Sequence, residues 1–236
     1  QVAAKQMVGL YLSVWVTKTI LPQIRGVQVT AVGTGVMGFL GNKGAVAVRM
    51  RVFDTGVELI NAHLSSGESE GDKLKRHSDF LEIIRRGQYP PDSDAKEPET
   101  SLACDQTFWV GDLNYRLNFP DKQVREQVRL RKFDALAEHD ELVQAREAGD
   151  AFQGWCEGAL TFPPTYKFRC VRDTVYKDRR RTPAWTDRVL WRSKGKSSAP
   201  HQLIYASAMD IMMSDHRLVY AAFVFPVSAC AQGLMR

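Results

Sequence analysis

"WVGDLNYRL", residues 109–117, decides how this chain is read. An apolar run, "TFWV" at 107–110, meets a glycine, and then a carboxylate and a carboxamide follow two apart at Asp112 and Asn114. The run is too short for a helix and rich in aromatic and β-branched side chains, which predicts a strand buried on both faces. Residues two apart on a strand share a face, so this spacing is expected to deliver both polar groups to one point at the strand end. More apolar residues would only lengthen the strand. An acid and an amide there suit holding and activating a reactant.

The sequence around it is of the same kind. Residues 7–16, "MVGLYLSVWV", and 27–37, "VQVTAVGTGVM", predict buried strands, and the Gly-punctuated loop "GFLGNKG" follows the second. "AVAVRMRVF" and "VELINAHL" are strands separated by a "TG" turn, which argues for antiparallel pairing. Leu74, Phe80, Leu81, Ile83 and Ile84 recur among charges over 70–86, as in an amphipathic helix. A Pro-rich polar stretch makes 87–104 a flexible loop, 121–148 reads as two charged helices, and "DRVLW", "HQLIYASA" and "HRLVYAAFVF" as three closing strands. Antiparallel strands with outer helices and no internal repeat predict a single α+β domain over 1–236.

Composition sets bounds. The chain has 236 residues, 44% hydrophobic and 25% charged, the balance of a globular domain with a sizeable core. A net charge of +5 suits an anionic partner such as a phosphorylated metabolite, nucleic acid or an acidic membrane surface. Four cysteines are widely spaced without a CxxC pair, which argues against structural zinc and a disulfide framework. With no signal-like segment and no apolar run long enough to span a bilayer, the reading is a cytoplasmic protein.

Five stretches place chemistry beside apolar runs: "NAHLSSG" (His63), "GDLNYRL" (Asp112, Asn114), "TYKF" (Tyr166, Lys167), "RRRTPAWTDRVLW" (Arg179, Arg181, Asp187) and "SDHRLVY" (Asp215, His216). Each alone is an ordinary structural polar group. Together they match metal-assisted hydrolysis of a phosphate ester, with a carboxylate to take the proton of water and imidazoles to face the growing charge on phosphate. A Ser-His-Asp hydrolase lacks its GxSxG elbow, and the glycine loops complete no nucleotide-binding fingerprint.

"GFLGNKGAVAV", "NAHLSSG", "FWVGDLNYRL", "FPPTYKF", "RTPAWTDRVLW" and "SDHRLVYAAF", in this order over about residues 5–225, resemble the inositol polyphosphate 5-phosphatases of the endonuclease/exonuclease/phosphatase superfamily, in particular their plant-type branch. The resemblance implies a four-layer α/β/β/α sandwich with two mostly antiparallel sheets and the reacting groups at one end. It implies Asp112 as the base toward water and Asn114 beside it on phosphate. His216, held by Asp187, and His63 would contact the scissile phosphate, with Asp215 close to the Mg²⁺ cofactor as a ligand. Tyr166, Lys167, Arg179 and Arg181 would bind the neighbouring 4-phosphate, and Asn42 and Lys43 the 1-phosphate. Phe39 and Leu40 would dip into lipid at a membrane periphery.

The reaction so implied is Mg²⁺-dependent removal of the 5-phosphate from phosphoinositides or inositol polyphosphates. A non-catalytic phosphoinositide-binding domain and a nuclease of the superfamily are the alternatives. A monomer that does not engage nucleic acid is expected. The family's Asn-bearing first strand and its "QE" glutamate, the main metal ligand, have no match here, so the chain reads as an N-terminally truncated domain of low activity on its own. His77 stands where many relatives carry Asn, with little consequence expected.

Overall fold

Strands with apolar side chains on both faces need cover on both sides, and the central sheet has it. In the computed structural model, which describes residues 1–35, 40–90, 99–100, 102–169, 175–177, 181–195 and 198–229, twelve strands and four α-helices are formed. The strands are β1 (Ala3–Met7), β2 (Leu10–Val14), β3 (Ile24–Gly33), β4 (Gly44–Val52), β5 (Thr55–His63), β6 (Gln88–Tyr89), β7 (Glu99–Thr100), β8 (Gln106–Asp112), β9 (Cys156–Glu157), β10 (Asp187–Ser193), β11 (His201–Ala208) and β12 (Leu218–Val224). The helices are α1 (Glu70–Arg86), α2 (Asp121–Arg129), α3 (Phe133–Ala137) and α4 (Glu141–Ala148).

Six strands form the central sheet in the order β3-β4-β5-β8-β10-β9, and β1-β2, β6-β7 and β11-β12 form separate pairs. Ala45, Ala47, Ile60, Ala62, Trp109 and Leu190 point to one face, where Phe80 and Ile83 of α1 and Leu142 and Ala145 of α4 cover them. On the other face Val48 and Met50 pack against the β1-β2 hairpin. There too Val110 and Val189 meet Val219, Ala221 and Phe223 of β12. This is the α/β sandwich expected, with hairpins making the second β layer.

Local readings held with four adjustments. The 7–16 run is not one strand: a turn at Val8–Gly9 splits it, and its apolar residues serve two strands of a hairpin. The next strand starts earlier, ends at Gly33 and is not buried as expected, because it is the sheet's edge, with Val27 and Val29 exposed; Val36 and Met37 lie outside the described residues. The charged stretch 121–148 folds as three helices, because Leu130–Lys132 breaks its middle. Within 87–104, β6 pairs with β7, and 91–98 and 101 lie outside the described residues. One ladder is parallel, β5 with β8, because α1 carries the chain across between them. No described helix is long and apolar enough to cross a membrane.

A fully buried arginine joins α4 to the sheet. Arg188 Nη1 donates to both Asp140 carboxylate oxygens at 2.8 and 2.9 Å, and its Nε and Nη2 donate to Glu157 at 2.6 and 2.8 Å. Asp140 also caps α4 by accepting from the Leu142 and Val143 amides. Removing one member of such a set strands the others' charges in the core. Arg188→Met is therefore expected to lower unfolding stability by about 3–5 kcal/mol in urea titrations; a loss below about 1 kcal/mol would show that the network is not holding the sheet.

Candidate active site

Strand register does most of the positioning. His63 ends β5 and lies opposite Asp112, the end of β8, while Asp112 lies opposite Asp187, the start of β10. Three chemistry-bearing residues thus form a row across three adjacent strand ends. On the far side of His63, β4 begins at Gly44, with Lys43 just before it. Two glycines allow this closeness. A Cβ on Gly44 (φ +134°) would lie 1.9 Å from the Val32 carbonyl oxygen, and one on Gly111 (φ +133°) would lie 2.0 Å from that of Ala62. A side chain at either position would push its strand away from the next one.

Asp112 and Asn114 do converge, though by a different route from strand alternation. β8 stops at Asp112, and Asn114 sits beyond it with φ +57°. In this left-handed conformation, which Asn tolerates better than most residues, the side chain folds back. Its Nδ2 donates to Asp112 Oδ2 at 3.2 Å and to the Leu64 carbonyl at 3.1 Å, and its amide donates to Asp112 Oδ1 at 3.0 Å. Arg116 locks the carboxamide from behind, donating from Nη2 to Asn114 Oδ1 at 2.7 Å and from Nε to the Asn114 carbonyl at 3.0 Å. Sequence reasoning passed over Arg116; its place two residues beyond Asn114 was the available signal.

The second half of the site hangs on Asp187. It accepts from Thr165 Oγ1 at 2.7 Å and Thr186 Oγ1 at 2.9 Å, and His216 Nδ1 lies 3.0 Å away. With Nδ1 so held, Nε2 is left for the reactant. Neither threonine stood out in the sequence. Thr165 is brought in because the 165–168 segment hydrogen-bonds to Ala184 on one side and to Asp215 and Arg217 on the other. That segment also packs the Tyr166 ring against His216, tilted by 40° with centroids 4.5 Å apart.

Charge alternates through the cleft. Burial pushes Asp112 up, but the His63 contact and the positive charges of His216, His63 and Lys43 hold it below the usual carboxylate range. Burial pulls His216 down, and the bond to Asp187 with the charges of Asp187, Asp112 and Asp215 outweighs it, raising the imidazole. Lys167 pairs with Asp215 at 2.7 Å, which raises the lysine and keeps the acid low. Lys43 Nζ lies 2.6 Å from His63 Nε2, which is itself 3.2 Å from Asp112 Oδ2. One ring nitrogen thus either accepts from lysine or donates to the carboxylate. Burial lowers Lys43 despite the acids near it.

His63, Lys43, Asp112, Asn114, Asp187 and His216 therefore meet, with Tyr166, Lys167 and Asp215 at one side. Arg181 lies 3.1 Å from Glu68, a residue itself 3.7 Å from Arg116. Asn42 is exposed, and its Oδ1 packs over Gly35, with no bond to the reacting groups among the described residues. Leu40 is 53% exposed. Arg179 and Phe39 lie outside the described residues. A cavity of about 430 Å³ opens beside Asp112, Asp187 and His216, floored by Val110, Val189 and Val219.

Among the described residues, no three His, Cys, Asp or Glu side chains converge as a metal-binding set. Asp112, Asp187 and Asp215 each already engage a base. Alone they would leave a divalent cation short of ligands, which substrate phosphate oxygens and water would complete.

The Asp187–His216 pair makes a measurable claim. Because the folded-state value of His216 is raised above its ordinary 6.5, its stabilising contribution is complete below that value and fades as pH rises through the folded one. Asp187→Asn is expected to lower the His216 midpoint in an NMR titration. The stability gap between wild type and variant should be widest below pH 6.5. An unmoved midpoint would show that Asp187 does not set the charge of His216.

The family model for "Endonuclease/Exonuclease/phosphatase family 2" matches residues 1–222. The chain is 40% identical over 231 residues to type IV inositol polyphosphate 5-phosphatase 7 of Arabidopsis thaliana, covering 94% of this chain and 38% of that protein. It is 41% identical over 231 residues to type I inositol polyphosphate 5-phosphatase 4 of the same plant, covering 94% and 41%. It thus spans about two fifths of the length of these curated relatives. Among solved structures, the inositol polyphosphate 5-phosphatase domain of SPsynaptojanin, in complex with inositol (1,4)-bisphosphate and calcium ion, superposes with a TM-score of 0.81 at 33% identity, over 95% of this chain and 63% of that one. Matched along nearly its whole length and carrying the paired acid–imidazole groups on the strand ends, the chain belongs to the endonuclease/exonuclease/phosphatase family 2.

Proposed function

We propose that the protein hydrolyses the 5-phosphate of inositol polyphosphates or phosphoinositides. The observation that carries this reading is the meeting of His63, Asp112 and Asn114 with the Asp187–His216 pair at three strand ends, beside Lys167. Similarity to 5-phosphatases and to a domain holding inositol (1,4)-bisphosphate supports the substrate class.

The chemistry follows from the groups present. Asp112, held in place by Asn114 Nδ2, binds the attacking water. A carboxylate kept this low is a weak base toward free water and becomes competent as the attacking oxygen acidifies. The water oxygen bonds to phosphorus opposite the inositol oxygen, the P–O bond to inositol breaks, Asp112 takes the water proton, and the departing oxygen is protonated from solvent. The His216 Nε2 proton, His63 and Lys43 face the phosphoryl oxygens as their charge grows, and being already in place they need little reorganisation. Lys167, Tyr166 and Arg181 engage the adjacent phosphate, the guanidinium suiting two oxygens at once.

The reading includes a Mg²⁺ requirement, a hard cation suited to phosphate oxygens. It also includes a peripheral membrane position on the cytoplasmic side, supported by the exposed Leu40 and Val8 of neighbouring loops. The lack of a converging metal-binding set among the described residues favours a second reading, a phosphoinositide-binding domain without turnover.

Phosphate release from inositol 1,4,5-trisphosphate by the full-length protein carrying these residues separates the two. Release with Mg²⁺ that EDTA abolishes is expected, and binding without release would establish the second reading. Asp112→Asn should lower the rate by about 10²-fold or more. Lys167→Ala should impair 4-phosphorylated substrates and leave any residual nucleic-acid cleavage unchanged; equal losses on both would contradict the assignment of Lys167.

A further inference from the structure

Glu68 takes no part in the chemistry above, yet it stands between two arginines that serve it. Its Oε1 lies 3.1 Å from Arg181 Nη1 and 3.7 Å from Arg116 Nη1. Arg116 is 6% exposed and committed to Asn114 through Nη2 and Nε, and its Nη1 is buried with no hydrogen-bond partner among the described residues. Glu68, Arg116, Glu141 and Thr182 line a pocket of about 180 Å³ at this point. The Glu68 backbone is anchored, because the next residue, Ser69, caps α1 in a reciprocal pair with Asp72. Its side chain is 38% exposed and that of Arg181 44% exposed, so the ion pair between them is weak and easily exchanged.

We infer that Glu68 is a displaceable counter-ion of Arg181, standing in for the phosphate beside the scissile one. It holds Arg181 in the substrate-free site, and Arg181 trades this carboxylate for phosphate when an inositol phosphate binds. Arg116 cannot follow, since two of its nitrogens hold Asn114, and it keeps the displaced carboxylate close. The inference rests on the inositol-phosphate reading and assigns a regulator of affinity within it. Hydrolysis at the 5-position leaves the 4-phosphate on the product, where a competing carboxylate helps Arg181 let go. Glu68 thus trades product affinity for release.

The test is calorimetric binding of inositol 1,4-bisphosphate and inositol 1-phosphate to the full-length protein in EDTA, with the isosteric Glu68→Gln variant. Glu68→Gln is expected to bind the bisphosphate about three- to ten-fold more tightly at low salt. The gain should shrink as salt screens the carboxylate. Binding of the monophosphate should change by less than about two-fold, since it does not reach Arg181. In an Arg181→Gln background the gain should vanish. Unchanged or weaker bisphosphate binding in Glu68→Gln, or a gain that survives Arg181→Gln, overturns the inference while leaving the reading of the site intact. A wild-type protein that binds neither compound brings down the inositol-phosphate reading, and this inference with it.

Discussion

Backbone register across β4, β5, β8 and β10 is the constraint on which the site depends. Side chains alternate with a period of two along a strand, so a slip of one residue in any ladder would turn a reacting group to the opposite face. Here the ladders place His63, Asp112 and Asp187 side by side, with Lys43 at the start of the next strand. Gly44 and Gly111, each adjacent to a reacting residue, remove the side chains that would force the strands apart. The apolar cores on both faces of the sheet then resist slippage, because shifting the register would pull Ile60, Trp109 and Leu190 out of the core that fits them.

Around this row, opposite charges are paired before any substrate arrives. Asp112 faces His63 and, through it, Lys43; Asp187 faces His216; Asp215 faces Lys167; Glu68 faces Arg181. A phosphate entering such a cleft meets cations already oriented by carboxylates, so little rearrangement is left for the reaction itself. The pairs differ in how firmly they are built. Asp187–His216 is backed by two threonines and is part of the frame. Glu68–Arg181 is exposed and has no such backing, as suits a contact that must open.

Much of this arrangement is legible in the residues. The apolar run before Asp112 marks a central strand, and the helix over 70–86 shows its serine cap in the sequence, but its apolar period holds only for Phe80, Ile83 and Ile84: Leu74 and Leu81 lie exposed, and Arg76, His77 and Asp79 share the buried face. Asp112 and Asn114 signal a site, but the cause of their meeting is not written in strand periodicity. It comes from the left-handed turn at Asn114 and the grip of Arg116, and only the folded backbone shows either. Thr165 reaches Asp187 across 22 positions, and no local pattern marks such a contact. The loop's motif points Lys43 to the 1-phosphate, and the folded chain sets its ammonium 2.6 Å from His63 Nε2, a contact no local pattern marks. The hairpin at 3–14 is hidden in the sequence because its turn, Val8–Gly9, carries no polar or proline punctuation.

The central claim is that these groups surround one phosphorus atom. A crystal structure of the Asp112→Asn variant of the full-length protein with inositol 1,4,5-trisphosphate tests it most directly. The account predicts the 5-phosphate within hydrogen-bonding reach of His216 Nε2 and Lys43, beside Asp112, and the 4-phosphate on Lys167 and Arg181. An inositol phosphate bound away from the strand ends, or held there with its 5-phosphate facing solvent, would contradict it.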